Sequence, residues 1–149
     1  MREFLLPDDE ATKALGRALA ADLRAGDAIL LEGPLGAGKS TLARALIAAA
    51  TGEEDAPSPT FALVQTYEGG AVPIAHFDLY RLDGPDGLWE LGFDDALDEG
   101  CVLVEWPDRL GPFAPRERLT VRLAAEGAGR RADVEATPTW ADRLKALAP

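Results

Sequence analysis

The sequence contains no asparagine, one histidine and one cysteine, and only three lysines against twelve arginines in 149 residues. A single cysteine, Cys101, excludes an internal disulfide, and with one histidine there is no Cys/His set for a structural metal centre. Cys101 lies in the apolar run CVLVEW, where a small buried hydrophobe is the simplest reading. No apolar run approaches the ~18 residues of a membrane-spanning helix. The opening MREFLLPDDE is broken by Pro7 and acids, unlike a secretory signal, so a soluble cytoplasmic protein with no membrane segment is expected.

Positive charge is also short. Fifteen basic residues against 26 acidic ones give a net charge of -11, a field that repels a phosphate backbone and weighs against stand-alone nucleic-acid binding. One local exception stands out in RLTVRL, where Arg118, Thr120 and Arg122 share one side of a strand, with Arg130 and Arg131 nearby. This is either a surface for RNA or an acidic partner, or a solvated strand face.

What is present reads as one α/β domain over residues 1–149, long enough to bury roughly 70% of its unfolded surface. Strands are expected at 2–6, at AILLE (28–32), in a hairpin formed by 61–67 and 72–79, at CVLVE (101–105), and in a second hairpin formed by 118–124 and 131–136. Helices are expected at 9–24, at 40–51, around 88–97, and at the C-terminus through Trp140, Leu144 and Leu147. Strands interleaved with helices, plus two hairpins, predict an α/β layer fold with a mixed, partly parallel central sheet flanked by helices.

The sparingly used side chains gather in three segments: Lys39 and Ser40 in GPLGAGKST (33–41), Ser58 in SPT, and His76 in HFDLYR. Gly33, Gly38, Lys39 and Ser40 satisfy G-x-x-x-x-G-K-[ST] between a buried strand and a helix. In that pattern the backbone amides curl around phosphate, the lysine reaches the β- and γ-phosphates, and the hydroxyl meets Mg²⁺. The nucleotide-binding candidates are therefore Leu35, Gly36, Ala37, Gly38, Lys39, Ser40 and Thr41, with ATP or ADP and Mg²⁺ as ligands.

Such a site needs a carboxylate at a neighbouring strand end, and two qualify: Glu105 after Cys101–Val104, and Asp78 after IAHF. Lys39, Asp78 and Glu105 are the catalytic candidates, with Ser40 and Glu105 on the metal and Asp78 on the attacking water; the roles of the two acids are interchangeable at this level. Ser58-Pro59-Thr60 is either a nucleotide-sensing segment or a plain helix-to-strand turn. Arg81 is read as a surface residue before a γ-phosphate contact, and His76 as a structural polar residue before a proton carrier.

The segments LEGPLGAGKSTLARAL, SPTFALVQTYEG, HFDLYRL, LGFDDAL and VLVEWPDRL, in this order and spacing, resemble the TsaE family over about residues 3–110. The resemblance implies a small P-loop ATPase that supports threonylcarbamoylation of the adenosine beside the tRNA anticodon, through a partner complex of the TsaB–TsaD type. Contact with tRNA would come mainly through those partners. By position it implies roles for Lys39, Ser40, Asp78 and Glu105, with Thr12 near the adenine and Trp106 shaping the site. Two positions depart from the family pattern: Pro34 replaces a common Asp, and Ser40 stands where Thr is frequent. A GTPase selecting guanine through N-K-x-D is excluded in a chain without Asn. A non-catalytic nucleotide-gated adaptor and a small-molecule kinase remain as alternatives.

Overall fold

In a computed structural model, which describes all residues except 55–58, 60–62, 83 and 85–86, the chain forms one seven-stranded sheet. Its strands are β1 (Arg2–Leu6), β2 (Ala28–Glu32), β3 (Val64–Tyr67), β4 (Ile74–Asp78), β5 (Cys101–Glu105), β6 (Leu119–Glu126) and β7 (Gly129–Ala136). They lie in the order β1-β7-β6-β2-β5-β4-β3. The central four, β6, β2, β5 and β4, run parallel, while β1, β7 and β3 add antiparallel margins. Both expected hairpins form, and the sheet is mixed α/β as the strand and helix pattern predicts.

The helices are α1 (Asp9–Leu19), α2 (Lys39–Thr51), α3 (Leu88–Leu91), α4 (Phe93–Glu99) and α5 (Ala141–Lys145). The first is shorter than the predicted 9–24. A 3₁₀ turn at Ala20–Asp22 follows it, and the Arg24 amide donates to the Asp27 carboxylate at 2.8 Å, turning the chain into β2. The predicted helix at 88–97 is two short helices, because Gly92 at φ 71° breaks the run. Asp8 caps α1 by accepting from the Ala11 amide, and Asp9 and Glu10 complement its dipole.

The period of two along each central strand divides the core into two layers. Ile29, Leu31, Cys101 and Leu103 face α1, α2 and Trp140, together with Leu15, Leu42 and Leu46. Leu30, Val102, Val104, Ala75 and Phe77 face the other way, onto Leu88, Phe93 and Leu110. Being covered on both sides, β2 and β5 are nearly continuous apolar runs, as parallel central strands are.

Helix α1 crosses α2 at Gly16, where a Cβ would fall 2.6 Å from the Leu42 carbonyl oxygen. This close approach fixes α1 against α2, the helix that leads out of the GPLGAGKST loop. Replacing Gly16 by Ala gains up to about 1 kcal/mol of helix propensity but forces two backbones apart at an overpacking cost of about 1–3 kcal/mol. Gly16→Ala is expected to lower the Tm in a thermal melt; a higher Tm would show that the crossing has slack. The buried Cys101 thiol has its pKa pushed well above the ordinary value of 9.0 by desolvation. It should therefore resist a thiol reagent in the native protein and react at once in denaturant.

Candidate functional site

Between β2 and α2 the chain turns through Gly33, Pro34, Leu35, Gly36, Ala37 and Gly38. Gly33, Gly36 and Gly38 take φ values of 147°, 81° and 103°, a region that glycine enters without a Cβ penalty. The Ala37 amide closes a turn on the Pro34 carbonyl at 3.1 Å, and a Cβ on Gly33 would fall 2.7 Å from the Leu123 carbonyl oxygen. Leu35 and Gly36 are exposed, whereas Ala37 and Gly38 are buried. Gly38 is the N-cap of α2 and supplies no side-chain cap, so the helix presents its first amides and its positive end at the loop. Ser40 and Thr41 stand in the first turn, half-buried.

Lys39 folds back over this loop. Its ammonium donates to the Gly33 carbonyl at 2.6 Å and lies 3.5 Å from the centre of the Trp106 ring, with the residue only 5% exposed. Burial holds its pKa below the ordinary lysine value of 10.5, while the negative charges of Glu105, Asp78 and Asp108 act in the opposite direction. Trp106 takes φ 57°, unusual for a non-glycine, and its ring also meets Tyr80 at 4.9 Å between centroids.

Period-two alternation puts His76, Asp78 and Glu105 on the face shared with Ile74 and Leu103, the face covered by α2. In the parallel ladder Asp78 is the register partner of Glu105, and Glu105 that of Leu31, two residues before Gly33. Both carboxylates are buried and fixed. His76 Nε2 lies 2.7 Å from Glu105 Oε2, and Asp78 Oδ1 accepts from the Tyr80 amide at 3.1 Å. The second histidine nitrogen, Nδ1, is buried without a hydrogen-bond partner. With an ionised Glu105, the Nε2–H tautomer is the one that makes the bond.

Lys39, Asp78, Glu105 and the loop residues 35–38 thus converge at the C-terminal ends of β2, β4 and β5, with Ser40 and Thr41 immediately behind. Thr12 stands apart on α1, fully buried, with Arg130 Nη1 3.5 Å from its hydroxyl. Ser58 and Thr60 lie outside the described residues. Arg81 is exposed in the turn after β4. The arginine-rich C-terminal strands do not form a bare basic face: Arg122 pairs with Glu32 and Glu135, Arg130 with Asp9, and Arg131 with Glu126 and Asp133. Thr120 is buried. Two contacts escaped the sequence reading. The His76–Glu105 pair depends on β4 and β5 being parallel neighbours, and neither it nor the approach of Arg130 to the loop had a local signal.

These residues sit in a chain with recognisable relatives. The profile of the family described as "Threonylcarbamoyl adenosine biosynthesis protein TsaE" matches residues 6–132. The tRNA threonylcarbamoyladenosine biosynthesis protein TsaE of Rickettsia conorii is 40% identical over 121 residues, covering 80% of this chain and 69% of that protein. Its namesake from Nostoc sp. is 39% identical, covering 93% and 86%, and that from Bacillus subtilis is 35% identical, covering 82% and 77%. The crystal structure of Bacillus subtilis YdiB superposes with a TM-score of 0.76 at 26% identity, covering 98% of this chain and 93% of that one. With a profile match across most of its length and named members 35–40% identical, the chain belongs to the TsaE family.

Proposed function

We propose that this protein is a Mg²⁺-dependent ATPase serving tRNA threonylcarbamoyladenosine biosynthesis, acting with a TsaB–TsaD type complex that modifies the adenosine. The pathway is the one its relatives carry in their names. The observation that carries the ATPase reading is the buried Lys39 ammonium, lodged in a glycine loop at a helix N-terminus and facing two strand-end carboxylates. The engaged arginines of β6 and β7 agree with tRNA contact made mainly by partners.

The loop amides and Lys39 take the phosphate tail of ATP. Lys39 exchanges the Gly33 carbonyl for phosphate oxygens, so its charge is stripped of most water before the substrate arrives and stabilises developing charge at little reorganisation cost. Ser40 and Glu105 offer hard oxygen ligands. Among the described residues no group of three or more His, Cys, Asp or Glu can hold a metal alone, which fits an ion shared with phosphate oxygens. Held there, Mg²⁺ would supply neutralisation of the phosphate charge. His76 anchors one oxygen of Glu105, in the way that ligating carboxylates are commonly supported. Asp78, fixed by the Tyr80 amide, orients the attacking water and takes its proton.

Phosphate release measured with ATP, with GTP and with candidate phosphoryl acceptors tests this reading. Slow release from ATP is expected, faster with the partner complex. Binding without release would make the protein an adaptor, and transfer to an acceptor would make it a kinase. Lys39→Met keeps the packing on Trp106 but removes the charge, so hydrolysis should fall by about 10²-fold or more, with the Tm unchanged or higher because a buried ammonium is gone. Glu105→Gln should shift the Mg²⁺ dependence of hydrolysis to higher concentration, whereas Asp78→Asn should lower kcat without that shift. The reverse pattern would exchange the roles of the two acids.

A further inference from the structure

Strands β4 and β5 end side by side, and the chains that leave them diverge directly after Asp78 and Glu105. Among the described residues, the last backbone bond between the two runs from the Leu79 amide to the Glu105 carbonyl, at 3.2 Å. Beyond it the first chain makes a tight turn, closed by the Leu82 amide on the Leu79 carbonyl at 3.0 Å. The second passes through Trp106 into the 3₁₀ segment Pro107–Phe113, where the Arg109 amide donates to the Trp106 carbonyl at 3.1 Å. From there Arg109 Nη1 reaches back across the gap and donates to the Leu82 carbonyl at 3.0 Å.

These bonds form a relay because a peptide group is planar. The Leu79 carbonyl and the Tyr80 amide belong to one peptide unit. Its oxygen accepts from Leu82 and its N–H donates to Asp78 Oδ1 at 3.1 Å, so a tilt of that plane re-aims the carboxylate. Leu82 thus carries the link, with its amide on this plane and its carbonyl on Arg109. The buried side chains of Leu79 and Leu82 fix where the turn lies in the second core layer, but apolar contact has no direction and leaves the tilt of the peptide planes to hydrogen bonds. A second contact of the guanidinium, Nε to Asp108 at 3.7 Å, is to a side chain 73% exposed and contributes little stability.

We infer that Arg109 is a positioning residue for Asp78. Holding the Leu82 carbonyl, it fixes the turn through which the Tyr80 amide aims the carboxylate at the attacking water, and it ties that aim to the segment that follows Glu105. The guanidinium acts through the turn and needs no contact with nucleotide or metal. The inference rests on the ATPase reading given above. Misplacing a reacting group by about 1 Å costs up to about 10²-fold in rate, so loosening the relay at its far end should cost less than removing the carboxylate itself.

The test measures single-turnover phosphate release from ATP with Mg²⁺ by the full chain and its variants, with ADP affinity by calorimetry and Tm recorded for each. Arg109→Met, which keeps the stem, should lower the rate about tenfold and leave ADP affinity within about twofold. Arg109→Lys, which keeps a donor, should recover part of the loss. Because Arg109 acts through Asp78, adding Arg109→Met to Asp78→Asn should lower the rate by less than about twofold beyond Asp78→Asn alone. A tie that only stabilises the fold predicts a lower Tm with an unchanged rate, or the same loss in both backgrounds, and either result overturns the inference. An equal loss of ADP affinity overturns it too, because the residue would then serve binding. If Asp78→Asn itself keeps the full rate, the role given to that acid falls together with the inference. Absence of phosphate release by the unsubstituted protein, alone and with the partner complex, overturns the ATPase reading as well.

Discussion

The arrangement turns on an ammonium placed where water cannot fully reach it. Taking the Lys39 charge out of solvent is unfavourable, and the lowered pKa records that cost. Several features oppose it: the Gly33 carbonyl at 2.6 Å, the face of Trp106 at 3.5 Å, and the negative charges of Glu105, Asp78 and Asp108. Trp106 meets Lys39 from a backbone conformation that tryptophan seldom adopts, directly after Glu105. Local strain of this kind at a strand end persists only where the surroundings impose it, and here they are the tilted Tyr80 ring and the lysine itself.

Such a constellation requires a rigid frame that brings three strand ends level. The parallel ladders supply it, because β4, β5 and β2 are held in register so that Asp78, Glu105 and Leu31 fall in one row. Two-sided burial makes that register costly to slip, since a shift by one residue would turn every inward side chain of a strand to the opposite layer. The same parity that buries Ile74 and Leu103 carries His76, Asp78 and Glu105 beneath α2, so the core pattern and the site pattern are one alternation.

Much of this was legible in the sequence because it is local. The glycines and lysine of residues 33–39, the apolar runs before Asp78 and Glu105, and the two hairpins are each written in one continuous short stretch of chain. What escaped depends on strand order. Nothing in residues 1–6 says that β1 lies at the far edge against β7, and so nothing announces that Arg130 reaches across to Asp9 and Gly38. The His76–Glu105 contact likewise joins residues 29 positions apart and follows only once β4 and β5 are known to be parallel neighbours. The basic stripe of RLTVRL, open in the sequence between a binding surface and a solvated strand face, has Arg122 paired with Glu32 of β2 and Glu135 of β7.

Amide resonances offer the most direct view of the central claim, that a phosphate tail is held by the loop between β2 and α2 with Lys39 above it. In ¹⁵N-labelled protein titrated with ADP in the presence of Mg²⁺, the amides of Gly36, Ala37, Gly38, Lys39 and Ser40 and the indole N–H of Trp106 should shift together and saturate, while amides on the distant β3 edge stay in place. Saturating ADP that leaves the Gly36–Ser40 amides where they began would contradict the account.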